Sequence, residues 1–75
     1  MNAEARELTA KEYADQVISA YRVFDDEEWT DEGRVAFVTD EVVGHIARTA
    51  KVERRDVDRD AVEAMARERI AAARV

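Results

Sequence analysis

There is no proline anywhere in this chain of 75 residues, and only two glycines, Gly33 and Gly44, punctuate it. Proline and glycine are the strongest local breakers of regular structure. With them almost gone, and with fourteen alanines and ten arginines present, helix is the favoured state over most of the length. What remains to be read is where each helix starts, which face it buries, and what the leftover surface is for.

The first start signal is sharp. Thr9 and Glu12 form a T-x-x-E capping box, in which each side chain satisfies an otherwise unpaired backbone N–H. Leu8 is placed to staple onto Tyr13. Tyr13, Val17, Ala20, Tyr21 and Phe24 then share one face at helical spacing. The run Asp25-Asp26-Glu27-Glu28 is expected to end this helix, because carboxylates sit badly at the negative end of a helix dipole. A second helix follows Thr30 or Asp31, either of which can cap it. Its stripe is Val35, Val38, Val42, Ile46 and Ala50, with Phe37 on roughly the opposite face beside Gly44 and Arg48. A short strand over Arg34–Thr39 is the competing reading, and it fails for want of a second strand. A third helix starts at Asp58 or near Glu53. It buries Val62, Met65, Ala66, Ile70 and Ala73, and its tail Ala71–Val75 is expected to fray. Arg69 lies within that stripe, either extending outward or pairing with an acid of the first helix.

The expected architecture is therefore all-α: one domain, a three-helix bundle with helices at about 9–24, 31–50 and 58–72. Only 21 of the 35 apolar residues are larger than alanine. A chain this short buries about 60–65% of its unfolded surface, and no cysteine is present to add a disulfide. Homodimerisation is an expected route to completing so thin a core.

Charge is the clearest organisation. Residues 1–33 carry three cations against ten carboxylates, whereas residues 34–75 carry nine against eight. Arginine outnumbers lysine ten to two, a bias that reads as a high-GC genome.

Several classes are disfavoured. Without cysteine, and with His45 the single histidine, metal ligands are scarce. His45 and Glu41 can share a helix face but lack a nucleophile, and the sole serine, Ser19, belongs to another helix. A chain of this size leaves little room for a water-excluding pocket of about 300 Å3 or more. Neither an enzyme nor a cofactor or metal site is expected. No apolar run is long enough to span a bilayer, and the N-terminus lacks a signal-like apolar stretch. A cytoplasmic location follows as the expectation, with no membrane partner.

The stretch from Ile46 to Arg59, carried by Ile46, Ala47, Ala50, Val52 and Val57, resembles the helix-turn-helix of bacterial repressors. The resemblance implies a second helix from about Glu53 lying in a DNA major groove. Arg48, Arg54, Arg55 and Arg59 would then contact phosphates or base edges. Lys51 stands where that motif usually carries a turn glycine, and Glu53, Asp56 and Asp58 put carboxylates on the would-be recognition helix.

The leading expectation is a small regulatory protein that binds another protein through a helical surface. Phe37 and Trp29 are its candidate apolar anchors, and Asp25, Asp26, Glu27 and Glu28 would attract a basic partner surface. The plainer role for Trp29 is to fold back over the end of the bundle. Phe37 needs cover from a second copy, from another protein, or from helix three. DNA binding through the arginine-rich segment is the alternative, and acidic mimicry of DNA by the first half is a third.

Overall fold

A computed structural model describes residues 8–74. It is an all-α three-helix bundle: α1 spans Ala10–Ala20, α2 Asp31–Ala50 and α3 Arg59–Arg74, with a single 3-10 turn at Arg54–Asp56 between the last two. No strand forms among the described residues, so Arg34–Thr39 is helical. The core is a set of small aliphatic side chains, chiefly Ala14, Val17, Ile18, Val23, Val35, Val38, Val42, Val43, Val62, Ala66 and Ile70. Small residues let three helices approach closely, which is how a short chain with few large side chains still closes an interior.

The helix starts follow local chemistry. Thr9 Oγ1 accepts from the Glu12 N–H at 3.1 Å, and the Thr9 N–H donates to Glu12 Oε1 at 2.9 Å, completing the capping box. Thr30 Oγ1 accepts from the Gly33 N–H at 2.9 Å. Asp58, rather than Glu53, caps α3, its carboxylate accepting from the Ala61 N–H at 3.2 Å.

The end of α1 departs from expectation, while α2 closes at Ala50 as expected. α1 stops at Ala20, four residues short of Phe24. Arg22 adopts a left-handed conformation with φ 53°. Its N–H donates to Ser19 O at 3.2 Å and that of Val23 to Ile18 O at 3.3 Å, the paired bonds of a Schellman cap. This turn delivers Val23 into the core and leaves Ala20 and Tyr21 exposed. The buried face of α1 is therefore Ala14, Val17 and Ile18; of the expected stripe, Val17 is buried, Tyr13 and Phe24 pack partly against the core, and Ala20 and Tyr21 do not. α2 ends at Lys51, also left-handed at φ 60°. Being central, α2 is covered from two sides and buries a wider face than one stripe, adding Thr39, Val43, Gly44 and Ala47 while Ala50 stays exposed. In α3, Val62, Ala66 and Ile70 are buried, Met65 is half-buried and Ala73 is exposed. The segment expected to fray is helical through Arg74, and Val75 lies outside the described residues.

Arginines of α3 tie the two charge halves together. Arg69 grips Asp15 with Nε–Oδ1 at 2.8 Å and Nη2–Oδ2 at 3.0 Å. Arg67 grips Glu32 with bonds of 2.8 and 2.6 Å. Arg74 reaches Asp31 at 2.5 Å. These pairs lie at the surface, where water screens each of them, but together they join α3 to the middle of α1 and the start of α2.

Candidate functional site

The α1–α2 connection is built around Arg34. Its side chain is only 11% exposed. Nε donates to the carbonyl of Val23 at 2.8 Å, and Nη2 to that of Asp26 at 3.1 Å. Nη1 bonds Asp31 Oδ1 at 3.1 Å. The guanidinium also lies 5.5 Å from the centre of the Phe24 ring, which Arg74 approaches at 5.3 Å, within cation–π range. One buried cation thus satisfies two loop carbonyls and orients the segment that carries the acidic run.

Above this frame three aromatic rings meet. Tyr21 and Phe37 are edge-to-face with centroids 5.1 Å apart, and Phe37 and Trp29 are likewise at 5.3 Å. Trp29 and Phe37 are half-buried against the core, while Tyr21 is 58% exposed. Phe37 therefore finds cover from the connection of its own chain. Trp29 folds back onto the bundle as its plainer reading required.

The acidic run borders these rings. Tyr21, Arg22, Asp25, Asp26, Glu27 and Glu28 line one wide, shallow basin. Arg22 pairs with Asp25 at 2.6 Å, and Asp26 Oδ1 accepts from the Glu28 N–H at 2.9 Å. Among the described residues, the side-chain carboxylates of Asp26, Glu27 and Glu28 form no ion pair, although the Asp26 carbonyl accepts from Arg34. The structure brings Phe37, Trp29 and the acidic run into one corner. It adds Tyr21, which sequence periodicity assigned to the core of α1, and Arg34, which no local pattern singled out. Tyr21 escaped because nothing glycine-like announces the turn at Arg22. Arg34 escaped because its acceptors are carbonyls eight and eleven residues upstream.

The arginine-rich segment is arranged differently from the repressor motif. Lys51 does take the left-handed turn position. No helix starts at Glu53; a 3-10 turn occupies Arg54–Asp56 and α3 begins only at Arg59. Arg54 lies back over α2 and donates to Asp40 O at 3.1 Å. Arg55 pairs with Glu53 at 2.8 Å and Arg59 with Asp40 at 2.5 Å. Arg48 is exposed.

His45 is not paired with Glu41. Its ring stacks on Tyr13 with centroids 4.2 Å apart and planes 6° apart, and Nε2 lies 2.9 Å from the Leu8 carbonyl. That contact requires the proton on Nε2, and it ties the entry of α1 to the middle of α2. No cluster of three His, Asp or Glu side chains suited to a metal occurs among the described residues.

A cleft of about 320 Å3 lies between the start of α2 and the end of α3, lined by Asp31, Val35, Arg67, Ile70, Ala71 and Arg74. It is an open groove rather than a water-excluding pocket. Its charged groups are the same ones that join the helices. The Asp31 carboxyl is held below the usual aspartate range by its hydrogen bond to Arg74, opposed by desolvation and aided by the charges of Arg74 and Arg34. Glu32 is lowered in the same way by Arg67. No described helix is long and apolar enough to cross a membrane.

Compared with known protein families, with curated proteins and with solved structures, the chain matches none.

Proposed function

We propose that this chain is a non-catalytic interaction protein, and that the α1–α2 corner docks a basic surface of another protein. The observation that carries the reading is the contact of Tyr21, Phe37 and Trp29 beside an acidic run in which, among the described residues, Asp25 pairs with Arg22 and the other three carboxylates form no ion pair. Aromatic rings give large apolar contact at low entropic cost and are enriched where interfaces draw most of their affinity. Carboxylates around such a patch draw in a positively charged partner and set its orientation. Arg34 holds the corner in place before binding, so little ordering cost falls on association. The complementary partner presents lysine or arginine around an apolar centre.

Two variants test this. Tyr21→Ala removes an exposed ring and leaves the buried core intact. Replacing Asp25, Asp26, Glu27 and Glu28 together by their amides removes the charge and keeps the shape. Affinity capture from the source cells, compared across these variants, is expected to show a basic protein held by the native chain, released by salt, and lost from both variants. Retention by both variants contradicts the proposal.

A further inference from the structure

Gly44 sits in the middle of α2, where a glycine costs about 1 kcal/mol relative to alanine, and it is buried. Arginines account for its cover. Arg54 lays its side chain across this point while bonding the Asp40 carbonyl. A methyl group placed on Gly44 would stand 2.6 Å from Arg54 Nη1 and 3.3 Å from Arg48 Nη1. With both distances taken from one point, the two nitrogens lie within about 6 Å of each other.

Two exposed guanidiniums at that range repel weakly in water, and an anion that bridges them turns that repulsion into attraction. The neighbouring carboxylates do not serve. Asp40 is taken by Arg59 and Glu53 by Arg55. Among the described residues neither Arg48 nor Arg54 has a carboxylate within 4.0 Å, and Glu41 and Asp56 pair with neither. Lys51, which caps the same helix, also has no ion pair among the described residues.

We propose that Arg48 and Arg54, gathered over Gly44, bind a phosphate dianion, as free phosphate or as a phosphomonoester, on the solvent side of their guanidinium groups. Arginine forks present paired donors that match tetrahedral oxyanions. Charge selects the ligand: a dianion balances both guanidiniums, whereas a single carboxylate leaves one unmatched. The missing Cβ lets Arg54 lie flat on the helix. This site lies toward the opposite end of α2 from the docking corner and does not depend on it.

The test is a titration of the 15N-labelled full chain with sodium phosphate, and separately with glycerol phosphate, at ionic strength held constant with sodium chloride. Saturable shifts are expected at the Gly44 amide and at the Nε–H signals of Arg48 and Arg54. Arg48→Gln and Arg54→Gln are each expected to weaken binding by about fivefold or more, and the double variant to abolish it. Gly44→Ala, which favours the helix but displaces Arg54, is expected to weaken it too and covers the case of a poorly folded double variant. Response to both ligands, or to free phosphate alone, supports the site and distinguishes its source. Shifts matched by chloride, spread over all cations, or unchanged in Gly44→Ala and the glutamine variants overturn it. Binding of duplex DNA without any response to phosphate also overturns it, in favour of a nucleic-acid backbone.

Discussion

Arg34 donates from Nε to the carbonyl of Val23 at 2.8 Å, and this bond joins the second helix to a left-handed turn that ends the first. Val23 is buried, so its carbonyl has little water to fall back on. Hydrogen bonds to charged groups contribute about 1.5–3 kcal/mol each, and a buried acceptor left unpaired adds its own penalty. Arg34→Ala is expected to destabilise the fold by about 2–3 kcal/mol, read as a lower urea midpoint at unchanged slope. Arg34→Lys is not expected to restore it, since an ammonium cannot span both carbonyls and the Phe24 face. Full recovery by lysine would show that charge alone matters.

Thr39 is 1% exposed, and its hydroxyl has no hydrogen-bond partner among the described residues. An unpaired buried hydroxyl costs about 1–3 kcal/mol. Thr39→Val keeps the shape and removes that cost, so it is expected to raise stability by about 1 kcal/mol. Thr39→Ser keeps the hydroxyl, loses a methyl, and is expected to cost about 1 kcal/mol. Thermal midpoints of the two variants should move in opposite directions.

Arg22 and Lys51 hold left-handed backbone at helix ends, with φ 53° and 60°. That conformation costs a side-chain-bearing residue about 1–2 kcal/mol. Arg22→Gly and Lys51→Gly are each expected to stabilise by about 0.5–1 kcal/mol, after allowing for the greater freedom of glycine in the unfolded chain. Circular dichroism melts of both variants check this, and a loss of stability in either would contradict the assigned turn.

The same two residues show how far sequence reading reaches. Thr9, Thr30 and Asp58 announce helix starts by chemistry confined to three neighbouring residues, and each does cap its helix. The stop of α1 carries no such mark, because it falls on Arg22 while both glycines lie inside α2, whereas the stop of α2 before Lys51 was legible. The misplaced end of α1 then misassigned Tyr21 and left Val23 out of the expected core. Val35, Val38 and Val42 were legible because their spacing is helical. The recruitment of Thr39, Val43 and Ala47 depends on a second covering helix, which periodicity within one helix does not encode. At the candidate site, the acidic run and two of the three aromatics were legible by composition. Their meeting with Tyr21, and the hold of Arg34 on distant carbonyls, exist only once the chain has folded.

Asp31 and Glu32 are held below their usual range by hydrogen bonds to Arg74 and Arg67. A carboxyl whose pKa is lower folded than unfolded stabilises the fold above the unfolded value, and that contribution is lost as pH falls through the folded value. Stability is therefore expected to fall as pH drops below about 4. In Asp31→Asn/Glu32→Gln the decline should be shallower. Urea midpoints from pH 6 to pH 2 measure both, and identical pH profiles for the two chains would show that these pairs do not contribute.

The central claim is that the Tyr21–Phe37–Trp29 corner, and not the far end of α2, is the surface another protein covers. A photo-crosslinking amino acid placed in vivo at position 21, and in a second chain at Val52, tests it directly. Val52 is exposed and lies about 20 Å from Phe37 by the rise of the intervening helix. The account predicts a discrete protein adduct from position 21 and none from position 52. Adducts of equal yield at both positions, or only at position 52, would contradict it.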